Sequence, residues 1–500
     1  MLPPEYLEQL ADELMELYGA LDEAIARDVA RRLAKAGGVT WTAGWQLRCA
    51  QQAGLLYEDV VAEVAKITDA SEAQVKALFE DAGVEALRWD ADIYEAAGLS
   101  PPPLRQSPAA LQRLAAGLKK TNGQLRNLTL TTASQAQQAY IQAATLAEMK
   151  IESGAFSYQQ AVRDAVKQAA GGGAWVQYPS GHRDRLDVAV RRAVLTGVNQ
   201  TAAEISLGYA DDMGCDLVET TAHPGARPEH MVWQGKVFSR SGGSRKYPDF
   251  VSSTGYGAGP GLCGYNCRHS FHPFFEGLSD RAYPREKLRE YEDKTVVYNG
   301  EEIPYYDATQ KQRAMERGVR ASKRELAALD EAAGAAGDPA LRGQLENDFA
   351  AASVTLKRRE AALRDFVRQT GLQKDGARVQ VVGFGRSRAA RVIWAVKKNT
   401  LTNAAGQEII RVTRVTPTGY PNSITQRENA KGGIDRNYYG PDGRQIKQIS
   451  NNDHGHKAER DLGLHGEHAH DYIWDVDGKM HHGLARELDA QEREENKDFL

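Results

Sequence analysis

Cysteine is scarce in this sequence, and long apolar runs are missing from it. Four cysteines among 500 residues, at positions 49, 215, 263 and 267, are too few and too unevenly spaced for a disulfide framework, so we expect a reducing compartment. No run of about eighteen apolar residues occurs, which excludes an apolar membrane-spanning helix. The opening segment MLPPEYLEQLADELMELYGALDEA has acidic residues within its apolar stretches and no basic start, so no signal peptide is expected. These absences predict a protein made and kept in aqueous cytoplasm, or in something assembled there.

An excess of basic charge is also missing. Lys and Arg total 63 against 67 Asp and Glu, which gives a formal net charge of -4. Because sequence-independent DNA binding depends on neutralising phosphates, any nucleic-acid contact of this chain is expected to be local. The composition is otherwise ordinary for folded protein, with 41% apolar and 26% charged residues. A chain of this length exceeds one usual hydrophobic core, so about two to four folding units are expected.

The first predicted segment, residues 1–175, has the apolar spacing of helices. Leucines recur at intervals of three and four, at Leu7, Leu10, Leu14 and Leu17. We predict a bundle of short helices over about 4–100 and further helices over about 108–170. The proline run of LSPPP, residues 99–103, cannot continue a helix and predicts a hinge. The three glycines at 171–173 end the helical pattern.

The second predicted segment, residues 176–290, changes from helical to turn-rich. An amphipathic helix is predicted over 185–211, where apolar residues recur on one face. After Gly214 the sequence becomes strand-like and rich in glycine, as in CDLVETTAHPGARPEHMVWQGKVFS and STGYGAGPGLCGYNCRHSFHPFF. Glycine at this density predicts tight turns and close backbone approach. The segment is therefore predicted to be a central α+β module.

Two further segments complete the predicted fold. Stretches rich in Ala, Glu, Arg and Leu at about 307–334 and 338–372, separated by GAAGDP, predict a helical hairpin arm over 300–375 that is a spacer or a partner surface. Residues 378–500 alternate like strands in EIIRVTRV and carry a PDG turn at 441–443, which predicts a small C-terminal α+β domain. The expected fold class is mainly α with α+β parts: an N-terminal helical bundle, a central α+β module, a long helical hairpin and a small His-rich α+β domain.

Ordered motifs in the first 290 residues resemble one known family. In chain order they are WTAGWQLRCAQQAGLLYEDV, AVRRAVLTGVNQT, TTAHPGARPEHMVWQGKVFS, YPDF, TGYGAGPGLCGYNCRHSFHPF and EGLSDRAYP. Together they resemble the phage minor capsid protein 2 family, which is similar in role to the head-morphogenesis proteins related to phage Mu protein F.

The resemblance implies a virion protein, present in the host cytoplasm during assembly, that aids head assembly and genome packaging or delivery. It implies phage portal and capsid proteins as partners, with any contact to genomic DNA a local one. No membrane and no small-molecule substrate are expected.

Cysteine and histidine in the central module form a candidate zinc site. Two thiols and two imidazoles lie close in sequence: Cys263, Cys267, His269 and His272. His223 and His230 are available to complete the four ligands that a structural zinc ion usually takes. The spacing of the cysteines is a weak metal pattern, and buried free cysteines behave as small apolar residues. A packed glycine-rich loop without metal therefore stays open as the alternative.

The same module carries residues that suit binding or structural bracing. They are His223, Arg227, His230, Trp233, Gln234, Gly235, Asn266 and Arg268. Arg227 and Arg268 can hold an anion or backbone carbonyls through their planar donor groups, and bracing is the expected use. Trp233 and Gln234 fit a buried anchor with a hydrogen-bonding neighbour. We expect a compact docking module here, not a deep cleft with convergent titratable groups.

A second concentration of histidine lies near the C-terminus. Seven of the twelve histidines fall between positions 454 and 482. The catalytic candidates are His465, His468 and His470, which together with Glu467 and Asp471 suit metal binding or acid–base chemistry on a phosphodiester. The segment loosely resembles nuclease-like toxin domains fused behind phage head proteins. A polar surface in a small structural domain is the alternative, because a His-rich tract is only a compositional signal.

Two classes of function remain open from the sequence. The leading hypothesis is a structural minor capsid protein without turnover, and so not an enzyme. The alternative is a phage-delivered effector whose nuclease-like C-terminal domain acts on nucleic acid. Zinc is the one candidate cofactor.

Overall fold

The computed structural model of the chain describes residues 1–10, 12–36, 42–153, 155–172, 174–178, 181–373, 376–381, 384–412, 414–419, 422–429, 432–456, 458–475 and 478–500. Trp41 and Gly173, which belong to sequence motifs above, lie outside this set. The protein is 57% helical and 14% strand, which confirms the predicted fold class, mainly α with α+β parts. No helix among the described residues is both long and apolar enough to cross a membrane.

The described chain divides into two compact units. The first unit comprises Met1–Glu346 and Leu356–Gly385, and the second comprises Asn347–Thr355 and Arg386–Leu500. The finer division into four segments stays a prediction.

A helical bundle opens the first unit. Its helices are α1 Pro4–Gln9, α2 Asp12–Ala36, α3 Thr42–Ala96, α4 Pro108–Glu152 and α5 Tyr158–Gly172. The expectation of short helices is wrong, because α3 and α4 continue through isolated glycines. One glycine inside a helix costs only about 1 kcal/mol, and burial of apolar residues at helical spacing, such as Leu56, Val60 and Val64, offsets that cost. The predicted hinge at LSPPP coincides with the break between α3 and α4.

Helix α6 packs unusually close to α4. Strands β1 Trp175–Gln177 and β2 Arg183–Arg185 form a short antiparallel pair that leads into α6 Leu186–Asp212, which confirms the predicted helix. A β-carbon on Gly117 of α4 would collide with Thr201 of α6, and one on Gly197 of α6 would collide with Thr121 of α4. Each helix therefore contributes a glycine opposite a threonine, and the close approach holds α6 firmly against the bundle.

The predicted helical hairpin is present as α10 Tyr305–Ala335 and α11 Pro339–Thr370. Arg359 of α11 donates to the Gly318 carbonyl at 2.9 Å and to Ser322 Oγ at 2.7 Å, as expected for antiparallel helices. Helix α10 also lies along α2 and α5. Its Arg324 forms a buried ion pair with Asp22 of α2. This helix is thus part of the bundle, not a spacer standing apart from it.

The central module follows α6 and contains a three-stranded antiparallel sheet of order β4-β3-β5. Its elements are β3 Leu217–Thr220, α7 Pro228–Met231, β4 Val237–Ser239, α8 Phe250–Thr254 and β5 Phe271–Phe274. Aromatic residues and two thiols fill its core: Trp233, Phe238, Phe250, Phe271, Cys263 and Cys267. After the module come α9 Arg285–Glu292 and the hairpin of β6 Thr295–Tyr298 with β7 Glu301–Pro304.

The second unit is built on a seven-stranded mixed sheet of order β14-β13-β12-β11-β10-β9-β8. Its elements are α12 Arg386–Asn399, β8 Thr400–Thr402, β9 Glu408–Arg411, β10 Ile424–Glu428, β11 Ile434–Tyr439, β12 Gln445–Ser450, β13 His468–Trp474, β14 Met480–His482 and α13 Ala490–Asn496. Strands β9 and β10 pair in parallel, and the other neighbours are antiparallel. The PDG turn connects β11 to β12, as predicted, with Gly443 at positive φ.

Candidate metal centre beside an arginine-lined cavity

A glycine-rich loop between α8 and β5 carries both thiols of the central module. Cys263 and Asn266 adopt positive φ, and a β-carbon on Gly261 would collide with the backbone of Gly255. Asn199 of α6 fixes the end of the loop, because its amide donates to the Cys267 carbonyl at 3.2 Å and to the His269 carbonyl at 3.0 Å. The loop therefore holds Cys267 and His269 in defined positions at the inner end of β5.

Two imidazole rings face the Cys267 thiol, and their hydrogen bonds determine which ring nitrogen carries the proton. His230 of α7 donates from Nε2 to the Pro260 carbonyl at 2.9 Å. His269 donates from Nε2 to Gln234 Oε1 at 3.1 Å, and that oxygen also accepts from the His223 backbone amide at 3.3 Å. Because these oxygens act as acceptors, both rings keep the proton on Nε2 and have a lone pair on Nδ1.

The two lone pairs and the sulfur converge on one point. The His230 and His269 Nδ1 atoms are 3.4 Å apart, and Cys267 Sγ lies 3.7 Å and 3.6 Å from them. Burial lowers the pKa of both histidines, so imidazolium is disfavoured. The single thiol proton cannot serve both nitrogen lone pairs, whereas a cation can bind both nitrogens and the sulfur.

The separations of these atoms match tetrahedral zinc. With Zn–S near 2.3 Å and Zn–N near 2.1 Å, tetrahedral geometry puts sulfur and nitrogen about 3.6 Å apart and two nitrogens about 3.4 Å apart. His230, Cys267 and His269 can therefore serve as three zinc ligands without rearrangement.

The predicted zinc residues are only partly brought together. Cys267 and His269 are in the cluster, and His230 joins them. Cys263 is buried nearby, but its Sγ contacts the His269 carbonyl at 3.6 Å, and burial raises its thiol pKa well above the usual value. His272 points elsewhere, with Nδ1 donating to the Pro273 carbonyl at 3.1 Å and Nε2 3.7 Å from Glu219.

A cavity of about 320 Å³ adjoins the cluster, with His223, His230, Cys267 and His269 in its wall. Arginines from distant parts of the first unit also line it: Arg191, Arg227, Arg268, Arg313, Arg317, Arg320 and Arg378. The expectation of a module without convergent titratable groups is wrong in this respect.

Glu8 of α1 forms ion pairs with three of these arginines. Its carboxylate lies 2.8 Å from Arg268, 3.4 Å from Arg378 and 3.7 Å from Arg313. Burial alone would raise the Glu8 pKa, but the three guanidinium groups together hold it below its usual value. The N-terminal helix is thus tied to the central module by charge. Local spacing in the sequence offers no signal for this group, because its members lie hundreds of residues apart.

The other predicted motif residues have bracing positions. Arg227 donates to the Tyr265 carbonyl at 2.7 Å. Trp233 is buried, with its ring centroid 4.7 Å from that of His230 and 4.8 Å from that of His269. Gly235 has positive φ, and a β-carbon there would collide with Leu288 and Tyr283.

The C-terminal candidates separate in the structure. His465 is exposed, whereas His468 and His470 are buried beside Glu459. Glu467 pairs with Arg493 at 3.0 Å, and Asp471 pairs with Arg486 at 2.6 Å. The carboxylate near His468 and His470 is therefore that of Glu459, and not that of Glu467 or Asp471, which the sequence indicated.

One family model and one curated phage protein match this chain. The sequence model described as "Phage minor capsid protein 2" matches residues 2–368, which extends beyond the resemblance seen in the motifs and includes the helical hairpin. A curated relative, a "Structural protein" of Lactococcus phage LL-H, is 26% identical over 305 residues, which cover 57% of this chain and 77% of the relative. No solved structure matches the chain significantly. The chain belongs to the phage minor capsid protein 2 family and is a phage structural protein.

Proposed function

We propose that this chain is a low-copy component of the phage head, located at the portal or the inner capsid surface. There it aids head assembly and genome packaging or delivery. The family match carries the proposal, because it covers the bundle, the central module and the hairpin together. On this view the protein is made in the host cytoplasm and acts without turnover.

Exposed apolar side chains on the long helices support a role in protein contacts. Val84 and Trp89 of α3 are 51% and 43% exposed, and Ile141 and Met149 of α4 are 43% and 62% exposed. Exposed apolar side chains that adjoin one another mark interaction sites, whereas single ones are ordinary on protein surfaces, so the cross-linking experiment decides whether these four form such a site. We propose α3 and α4 as the surface that contacts the portal or capsid.

Cross-linking mass spectrometry on purified particles tests this surface. We expect cross-links from α3 and α4 to portal or capsid protein, and we expect Trp89→Ala to lower the number of copies per particle. The matched control is Arg88→Ala on the same helix, since Arg88 is 74% exposed and pairs only with Glu85 among the described residues. Cross-links confined to other elements, or equal copy numbers for both variants, would contradict the proposed surface.

We further propose that His230, Cys267 and His269 hold a zinc ion in the central module, with the fourth position of the ion facing the adjoining cavity. The ion would join α7 to the loop before β5, in addition to the hydrogen bond from His230 to the Pro260 carbonyl. Cys263 lies outside this ligand set, and burial raises the pKa of its thiol, so it does not favour nucleophilic catalysis.

An effector role for the second unit is the alternative function. The buried pair of His468 and His470 beside Glu459 is the observation that favours it. In this case the full-length chain should degrade RNA or DNA when a divalent metal is present, and His468→Ala should abolish that activity. An inert full-length protein under these conditions removes the alternative and leaves the structural role.

A further inference from the structure

The second unit contains a side-chain cluster that the structural role does not use. Strand β13 begins at His468, and His470 follows two residues later, so both side chains project from the same face of the strand. Glu459 lies in the connection between β12 and β13. Its two carboxylate oxygens lie 3.7 Å from His468 Nε2 and 3.7 Å from His470 Nε2. We propose that Glu459, His468 and His470 bind one divalent transition-metal ion.

Backbone hydrogen bonds prepare both histidines as ligands. His468 donates from Nδ1 to the Gly466 carbonyl at 2.8 Å, and His470 donates from Nδ1 to the Gly483 carbonyl at 3.0 Å. A carbonyl oxygen can only accept, so each ring keeps its proton on Nδ1 and has a lone pair on Nε2. Histidine ligands in metal sites are commonly oriented in this way, with the other ring N–H held by a carbonyl.

The ligand atoms of His468 and Glu459 are removed from water, and in the chain as far as the structure describes it no hydrogen bond replaces their hydration. The His468 side chain is fully buried and that of Glu459 is 13% exposed. Among the described residues, neither His468 Nε2 nor Glu459 Oε2 has a hydrogen-bond partner. A buried carboxylate that faces two lone pairs is unfavourable, and a cation between them removes the penalty.

A competing arrangement is a protonated histidine paired with the carboxylate. The separations of 3.7 Å are too long for hydrogen bonds, so neither ring donates to Glu459. Within the described part of the chain, no Lys or Arg lies at ion-pair distance from Glu459 to take the place of a metal.

The donor set and spacing indicate the class of ion. Two imidazoles and one carboxylate are the ligands of catalytic zinc and non-haem iron(II) sites, whereas Ca²⁺ and Mg²⁺ prefer oxygen. Ligand atoms about 2.1 Å from a tetrahedral ion lie about 3.4 Å apart. The two Glu459–histidine separations of 3.7 Å are slightly longer than this, and all the ligand atoms lie within 4.8 Å of one another.

The ion would also have a mechanical effect. Glu459 belongs to the connection 451–467, whose described residues form only turns and bends. A metal bond from Glu459 to β13 would tie this long connection to the sheet, since loops of this length usually need such a restraint or a function of their own.

Zinc binding by the full-length protein, produced without a histidine tag, tests the proposal. Equilibrium dialysis against Zn²⁺ followed by elemental analysis should show that Glu459→Gln and His470→Ala each bind one ion per chain fewer than the wild type. The control is His481→Ala in the same unit, because His481 is 54% exposed and its Nε2 lies 2.8 Å from Asp475, outside the cluster. This control should bind as much zinc as the wild type.

The glutamine variant guards against misfolding, because it keeps the shape of Glu459. If it melts like the wild type without metal but no longer gains thermal stability from zinc, the proposal is supported. Equal zinc content and equal zinc-induced stabilisation in the wild type, Glu459→Gln and His481→Ala would overturn it. Nuclease activity is a separate readout, so zinc binding without activity supports this site and removes only the effector alternative.

Discussion

Replacing Cys267 by serine is the sharpest test of the metal centre in the first unit. Serine keeps the size of the side chain but stays protonated at neutral pH, so it does not replace a thiolate ligand. The three observed separations of 3.4, 3.6 and 3.7 Å leave one ion position that all three side chains reach. Loss of the sulfur should therefore remove about one zinc equivalent per chain, by the stoichiometry of a single site.

The expected stability effect follows from binding linkage. Zinc at a free concentration 100 times the dissociation constant stabilises the folded state by about 2.7 kcal/mol. Chelation should therefore lower the denaturation midpoint of the first unit in the wild type and leave the midpoint of the first unit in Cys267→Ser unchanged. Titration with Co²⁺ identifies this centre, because thiolate coordination gives a sulfur-to-metal absorption band that a site of His and Glu ligands does not give.

Two other cysteine variants serve as controls. Cys215→Ser changes a buried thiol that contacts the Leu217 carbonyl at 3.3 Å, away from the cluster, and should keep the cobalt band. Cys263→Ser should keep it too, since Cys263 is not among the converging atoms. A wild-type protein without the band, or a band that survives Cys267→Ser and disappears in Cys263→Ser, would refute the proposed ligand set.

Two predictions concern the charges that hold each unit together. Asp22→Asn leaves the Arg324 guanidinium buried without its counter-charge, so urea denaturation should show a loss of about 3–5 kcal/mol in the first unit; a loss below about 1 kcal/mol, the level of a surface pair, would contradict this. Hydrogen bonds from Arg486 hold the pKa of Glu492 at about 2 against a usual 4.5, so the ionised carboxylate stabilises the second unit. Because the pKa of Glu492 is lower in the folded state, this contribution is present above pH 4.5 and is lost as the pH falls toward 2. Glu492→Gln should therefore flatten the curve of stability against pH between pH 4.5 and 2. The exposed control Glu494→Gln should leave that part of the curve unchanged.

The helices could be predicted from the sequence because their signals are local. Apolar spacing identified α6, stretches rich in Ala, Glu, Arg and Leu identified both hairpin helices, and the proline run marked the end of α3. Helix length was underestimated, because apolar spacing identifies a helix but does not fix its length, and the packing of a long buried face carries α3 and α4 through isolated glycines. The close approach of α4 and α6 was not predicted, because Gly117 and Thr201 meet only in the folded chain.

The sites could be predicted only in part. Cys267 and His269 were found because cysteine and histidine are rare and close in sequence there. The role of His230 was harder to predict, because its tautomer is fixed by the Pro260 carbonyl, a backbone group that gives no signal in the sequence. In the second unit the sequence spacing indicated Glu467 as the carboxylate near the histidines, but Glu467 forms an ion pair with Arg493. Glu459 lies near the histidines instead, because of a turn that the sequence does not specify.

Quantitative mass spectrometry of purified virions tests the central claim most directly. The account predicts that this chain is present in intact particles at a few copies for each portal, far below the major shell protein, and remains after washing at high salt. Complete absence from virions that contain their portal and shell proteins, with the chain found only in the infected-cell lysate, would contradict it.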